Sequence, residues 1–341
     1  MQIAARHIST YPFIRLWLWL LAGLVFAMVL VGGATRLTDS GLSITEWQPL
    51  LGAIPPLDDA QWAAAFEKYK AIPEYRLLNE GMSLAEFKVL YWWEWAHRFL
   101  GRFIGVVLLV PFLALWATGR LERRMVFSLL ALLILGALQG ALGWYMVQSG
   151  LVDRTDVSQY RLAAHLLLAA VIYAAIIWVG LGVGIPPRRS RSRDTWIVFG
   201  IIVLVFLQIA FGGLVAGLDA GLSHNTFPLM DGKLIPDGLM VITPRWRNLF
   251  ENALTVQFFH RTTAYLIVLV ILTHAISLTR SGRGGAREIS GWVLVFVVFA
   301  QMALGVWTLL AGAPLSLALL HQAGAMLLLT AAVIHLHLVV R

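Results

Sequence analysis

The sequence has no cysteine at all. That absence excludes disulfides, thiolate metal sites and thiolate-ligated haem. Charge is also scarce: 13% of the 341 residues are charged and 59% are hydrophobic, with a mean hydropathy of +0.78. A chain this apolar is not a soluble globular domain. Acidic residues number 18 against 26 lysines and arginines, and the net charge of +8 reads as a topology signal, not as a nucleic-acid footprint.

What is present is a set of long apolar runs. Eight are long enough for a hydrocarbon core that needs about 20 residues per helix: residues 13–35, 93–117, 124–147, 162–183, 195–217, 256–278, 292–311 and 317–339. The first could be taken for a signal peptide, but it is longer than an h-region and has an internal counterpart, so a retained helix is expected. Arginines collect in the N-terminal tail (Arg6, Arg15), in alternate connections (Arg120, Arg123, Arg124; Arg188, Arg189, Arg191, Arg193; Arg280, Arg283, Arg287) and at Arg341. By the positive-inside rule these segments and both termini are cytoplasmic.

Within the second run lies Glu94-Trp95-Ala96-His97-Arg98, which sets a carboxylate, an imidazole and a guanidinium on neighbouring turns of one spanning helix. Ionisable groups are costly at that depth, so they need a job or a partner. In the sixth run, Gln257-Phe258-Phe259-His260-Arg261 repeats the His-Arg pair with glutamine in place of the acid. These motifs are expected to break the second and sixth helices near their starts. Other landmarks recur in the same order: Gly32-Gly33 with Gly212-Gly213, Asp39 with Asp219, Gln139-Gly140-Ala141-Leu142-Gly143 with Gln301-Met302-Ala303-Leu304-Gly305, and His165 with His321. The chain is therefore expected to be an all-α polytopic membrane protein, with eight transmembrane helices in two pseudo-symmetric four-helix bundles, residues 1–185 and 186–341. An even number of helices per half relates them by an axis along the membrane normal.

The outer connections are unequal. The segment 37–88 contains an amphipathic stretch in which Trp62, Phe66 and Tyr69 share a face, and it should lie on the outer surface. Pro73 should stop it, and Ser83-Leu84-Ala85-Glu86 reads as a capping box that starts the second spanning helix early. Tyr91, Trp92, Trp93 and Trp95 fit either an interfacial aromatic belt or a ligand wall. The loop from Asp219 to Asn252 is long enough to fold over the second bundle.

Of nine histidines, His97, His165, His260 and His321 stand one or two turns inside the outer ends of four helices, at repeat-matched positions. Two such residues per bundle are what axial coordination of a haem between helices requires. A rival pattern is a stacked pair of haems in one bundle, because His274 and His335 follow His260 and His321 by 14 residues, close to four helical turns. The matching positions in the first half, Pro111 and Val179, do not support it, and His274, His335 and His337 read more simply as residues near the cytoplasmic interface. Arg98 and Arg261 adjoin proposed ligands, either as contacts to haem propionates or as ordinary snorkelling side chains. Gln139, Gln208 and Gln301 are candidates either for support of the ligands or for plain interhelical hydrogen bonding.

Taken together, residues 32–43, 94–102, 139–147 and 225–232, His260-Arg261 and His321-Gln322 resemble the haem A synthases, in the cysteine-free branch similar to the alphaproteobacterial and mitochondrial enzymes. The resemblance implies oxidation of a methyl group of haem O to a formyl group, giving haem A for cytochrome oxidase. It implies a haem b cofactor in the second bundle, ligated by His260 and His321, and the substrate haem in the first, near His97 and His165. It further implies an inner-membrane enzyme with its haem sites toward the outer face. Its partners would be membrane lipid, haem O synthase, cytochrome oxidase assembly factors and an electron donor that the sequence does not name; no nucleic acid is expected, and a homo-oligomer is compatible with it. Glu94, present only in the substrate bundle, is then the candidate catalytic residue, either moving a proton or stabilising a cationic intermediate. Two other classes share these ligands: a cytochrome b-like electron carrier with two haems, and a haem transporter or chaperone.

Overall fold

The computed structural model describes residues 2–48, 51–152, 154–186, 192–282 and 284–341, with side chains from Thr10 onward. The arginines at 188, 189, 191 and 283, on which the topology partly rests, lie outside the described residues. Every named element is helical. In chain order the α-helices are α1 (Gln2–Leu37), α2 (Asp59–Lys70), α3 (Pro73–Leu78), α4 (Leu84–Ala117), α5 (Arg123–Gln148), α6 (Gln159–Gly182), α7 (Arg193–Gly217), α8 (Asn248–Glu251), α9 (Ala253–Arg280), α10 (Gly285–Leu310) and α11 (Leu315–Val340). Eight of them, α1, α4 to α7 and α9 to α11, are long and apolar enough to cross a membrane. Two compact units are present, residues 23–169 and residues 1–22 with 170–341. This division runs through α1 and α6, whereas the sequence repeat divides the chain after residue 185.

In the larger unit α7, α9, α10 and α11 close into a ring, with α7 and α10 each packed against both α9 and α11. The buried residues of α7, Val198, Ile201, Ile202, Val205 and Ile209, recur at helical spacing and make one stripe. The ends of α1 and α6 that belong to this unit are tied in by polar contacts: Arg15 donates to the Val183 carbonyl at 2.7 Å, and the Tyr173 and Thr330 hydroxyls are 2.8 Å apart.

In the unit 23–169, α4 begins well before its apolar run because Ser83 and Glu86 close a capping box: the Glu86 N–H donates to Ser83 Oγ and the Ser83 N–H donates to Glu86 Oε2. Such a cap contributes about 1 kcal/mol. The expected break at Glu94 to Arg98 is absent, and so is the one at Gln257 to Arg261, since α4 and α9 run unbroken through both motifs. Glutamate, histidine and arginine leave the i to i−4 ladder intact, and the carboxylate, amide and guanidinium groups find partners beside the helix, so nothing forces a kink.

The amphipathic stretch is helix α2, capped by Asp58, and it buries Trp62, Phe66 and Tyr69. It ends at Lys70, and Pro73 opens α3 as its first residue. The buried face rests on α4: ring centroids are 4.9 Å apart for Trp62 and Tyr91, 4.9 Å for Phe66 and Phe87, and 5.2 Å for Tyr69 and Phe87. Tyr91 therefore belongs to the core of this cap, while Trp92 and Trp93 are exposed.

One acid is sealed in the same cap. Glu74 is 3% exposed and accepts from the Tyr69 hydroxyl at 2.9 Å, and Asn79 Nδ2 donates to the Tyr69 oxygen at 2.7 Å. Loss of water raises the Glu74 carboxyl from 4.5 to about 8, against the Tyr69 hydrogen bond and with help from the negative charges of Glu94, Asp39 and Asp156. Burial, and then Glu74, push the Tyr69 phenol up too. The folded cap thus holds a proton that the unfolded chain releases between pH 4.5 and about 8. Its stability is full below pH 4.5 and is lost as pH rises through 8. Amide-exchange protection of residues 59–79, corrected for intrinsic rates, should fall by at most about tenfold per pH unit across that window. Glu74→Gln should flatten the dependence; an unchanged slope in the variant would refute the assignment.

Candidate functional site

In the larger unit the two histidines of the ring face each other. His260 comes from α9 and His321 from α11, with ring centroids 6.4 Å apart. Each imidazole lies against a glycine and a glutamine of the next helix. On α7, a Cβ at Gly212 would lie 3.4 Å from His260 Cε1, and Gln208 Nε2 is 3.2 Å from both ring nitrogens. On α10, a Cβ at Gly305 would lie 2.7 Å from His321 Cε1; Gln301 Nε2 is 3.1 Å from His321 Nδ1 and donates to its carbonyl at 2.8 Å. Gly324 leaves room for the Gln301 amide, whose Oε1 would be 2.0 Å from a Cβ there.

The unit 23–169 repeats the arrangement with one omission. His165 on α6 meets Gly143 of α5, where a Cβ would lie 3.0 Å from Cε1, and Gln139 Nε2 is 3.2 Å from both ring nitrogens and 3.0 Å from the carbonyl it donates to. His97 on α4 meets Gly32 of α1, where a Cβ would lie 3.0 Å from Nε2. His97 and His165 are close enough to interact electrostatically. Among the described residues, however, no hydrogen bond reaches the His97 ring.

Glu94 and Gln257 occupy matching places with opposite polarity. Glu94 is 2% exposed and both its oxygens are engaged: Oε2 takes the Ser43 hydroxyl and the Ile44 N–H, each at 2.7 Å, and Oε1 takes Arg98 at 2.6 Å. Arg98 also donates to the carbonyls of Ile44 at 2.6 Å and Glu46 at 2.9 Å. In the other unit Gln257 donates to the carbonyls of Ala220 and Ser223 at 2.8 and 2.9 Å, and Arg261 donates to those of His224 and Thr226 at 2.7 and 2.8 Å and to Gln257 Oε1 at 3.2 Å. Acid and amide thus do the same local job, tying to the helix a loop that turns at Asp39 or at Asp219, both with positive φ. Asparagine and aspartate tolerate that conformation better than other side chains. The loop after Asp219 also reaches α10, through Asn225 Nδ2 donating to the Leu309 carbonyl at 2.8 Å. The arginines do not snorkel. Arg98 is spent on Glu94 and its loop, and Arg261 keeps a buried Nε without a partner. Arg36 pairs with Asp39 and Asp156, not with Glu94.

His274 and His335 are buried and bond directly to each other, Nε2 to Nε2 at 3.0 Å, and His335 Nδ1 is 2.7 Å from Ser290 Oγ. Two imidazoles on opposite faces of one iron need a nitrogen separation of about 4 Å, two metal to nitrogen bonds of roughly 2 Å end to end. At 3.0 Å the two Nε2 atoms are bonded to each other, and Ser290 engages only the His335 ring, while His274 Nδ1 has no partner among the described residues.

Sequence reasoning used the glycines and glutamines as markers of the repeat, but not the fact that the glycines are where the imidazoles lie. The signal was available: in each half a glycine of one helix recurs in register with a histidine of the next.

A family model described as cytochrome oxidase assembly protein, COX15-CtaA, matches residues 15–333. The chain belongs to this family. Among its relatives are proteins named heme A synthase from Mesorhizobium japonicum, 50% identical over 97% of this chain and 91% of the relative, from Chelativorans sp., 52% over 94% and 90%, and from Parvibaculum lavamentivorans, 50% over 94% and 92%. For a member of this family the packing makes a direct prediction. Gly305→Ala puts a methyl where no atom fits and should cost about 1–3 kcal/mol, while Gly212→Ala meets ordinary contact and should be near neutral. Thermal melting of the two variants in detergent measures the difference, and equal melting points would contradict the cradle.

Proposed function

We propose that this chain is a multi-pass membrane oxidoreductase that converts haem O to haem A by oxidising a ring methyl to a formyl group, and so supplies a cofactor for oxidase assembly. The observation that carries this reading is the likeness to heme A synthases at about half identity over nearly the full chain. Turning a methyl into a formyl group with water as the oxygen source releases four protons, and four electrons to an external electron acceptor, so the protein must both hold the substrate and conduct electrons away from it.

The histidines fit haem as a ligand. Each ring sits against a glycine of a neighbouring helix, and among the described residues Gln139, Gln208 and Gln301 each carry a buried Oε1 with no donor. An iron-bound imidazole has one remaining N–H that needs an acceptor, and each of these amides, which turns its Nε2 to the ring, offers its oxygen there when rotated by half a turn. In our reading His260 and His321 hold a resident haem b, and His97 and His165 hold the substrate haem. Bound at the first pair, haem b supplies a one-electron redox centre. The free Nε–H of Arg261 is suited to a propionate, while Arg98 acts through Glu94. We place the protein in the inner membrane with these sites toward the outer face, on the strength of the arginine asymmetry, and take haem O synthase as the source of substrate.

Glu94 is the residue that distinguishes the two sites. Its oxygens are already committed to Arg98, Ser43 and Ile44, so it serves better as a fixed anion beside the reacting edge than as a mobile proton carrier. A preoriented charge stabilises positive charge that develops during oxidation without paying for reorganisation. Glu94→Gln should keep both haems but lower the melting point, because it leaves Arg98 without its carboxylate and sets an amide NH2 among the Ser43 and Ile44 donors, where the loop at Gln257 offers carbonyls. Conversion of haem O per bound haem b should fall about 10²-fold or more, measured by chromatographic separation of extracted haems. Turnover at the native level would remove Glu94 from the chemistry. His260→Ala should abolish haem b binding while the helical circular dichroism persists; retention of haem b would overturn the ligand assignment.

A further inference from the structure

Three of the four proposed ligands have a glutamine at the ring, and the fourth does not. Gln208 stands one helical turn before Gly212, on the face that meets His260. The corresponding residue, one turn before Gly32 on α1, is Met28. Its terminal methyl packs toward Gly101, at 3.2 Å from where a Cβ would be. A methionine sulfur is at most a weak acceptor and has no donor. His97 is therefore left without the amide that fixes each of the other three rings, and such support ordinarily strengthens metal binding.

This difference matches a difference in task. A resident cofactor has to stay, held on both faces, through every turnover. A substrate haem has to enter, react and depart, so at least one of its two axial bonds has to be easy to break. Resting on the functional reading above, we infer that His97 is the releasable ligand of the substrate site, and that Met28 is the positioning residue that keeps it so by standing where the cofactor site has Gln208. His97 lies on α4, three residues beyond Glu94. His165, supported by Gln139 as His321 is by Gln301, is the ligand that remains.

The test uses the full-length protein loaded with haem O and reduced with dithionite, with carbon monoxide as the probe of an open iron position. In the native protein, carbon monoxide should bind the haem O and leave the haem b spectrum unchanged. Met28→Gln should retain both haems, slow carbon monoxide binding at haem O about tenfold or more, and slow haem O transfer to apomyoglobin by a similar factor. The reciprocal variant, Gln208→Met, should make haem b reactive toward carbon monoxide. Native protein whose haem O resists carbon monoxide, or Met28→Gln protein that reacts like native, would overturn the inference. Should Met28→Gln fail to fold, Gln208→Met decides alone, and haem b as closed as in the native protein would overturn it. Protein that binds no haem through these histidines would instead sink the functional reading, so the two failures are distinguishable.

Discussion

The arginine one turn beyond each acid or amide is the contact on which both sites depend. Arg98 neutralises Glu94 in a setting where an unpaired carboxylate is untenable, and removing one partner of such a pair costs about 3–5 kcal/mol. The same guanidinium donates to the carbonyls of Ile44 and Glu46, so that one charge fixes both the buried carboxylate and the loop after α1. Arg261 does the same for the loop after α7 with an amide in place of the acid. The shared scaffold accepts either polarity, because Ser43 and Ile44 offer donors in one unit where Ala220 and Ser223 offer carbonyls in the other.

Packing of the imidazoles follows from the same economy of space. Each matched histidine ring lies against a glycine of the neighbouring helix, too tightly for a side chain at Gly32, Gly143 and Gly305 and in ordinary contact at Gly212. Small residues also let helices approach closely in lipid, where hydrophobic burial gives no extra drive. Glutamine then gives the buried ring a polar partner at His165, His260 and His321. Departures from an otherwise repeated pattern, acid for amide at 94 and methionine for glutamine at 28, both fall in the unit 23–169, which is why we read that unit as the place of chemistry and the other as the place of a permanent cofactor.

Much of this was legible in the chain itself. Apolar run length dictates the eight spanning helices, because backbone groups in hydrocarbon must bond within their own segment. Helical periodicity sets Trp62, Phe66 and Tyr69 on one face, and local capping chemistry starts α4 at Leu84, since both depend only on residues a few places apart. The expected helix breaks were wrong for a reason of the same kind: charged side chains are not helix breakers when a partner lies alongside, and the partner comes from a loop some 50 residues away in sequence.

By itself the sequence determined the class of protein, the repeat and the four histidines, because hydropathy and short motifs are properties of neighbours along the chain. Only the tertiary structure decided which groups they meet: that Glu94 is held by Arg98, Ser43 and Ile44, that Tyr91 belongs to a cap over α4, that His274 and His335 bond each other, and that His97 alone of the four matched rings lacks a glutamine among the described residues. Those are contacts between residues far apart in sequence, fixed by how helices pack, and no local pattern encodes the partner that a buried polar atom will find.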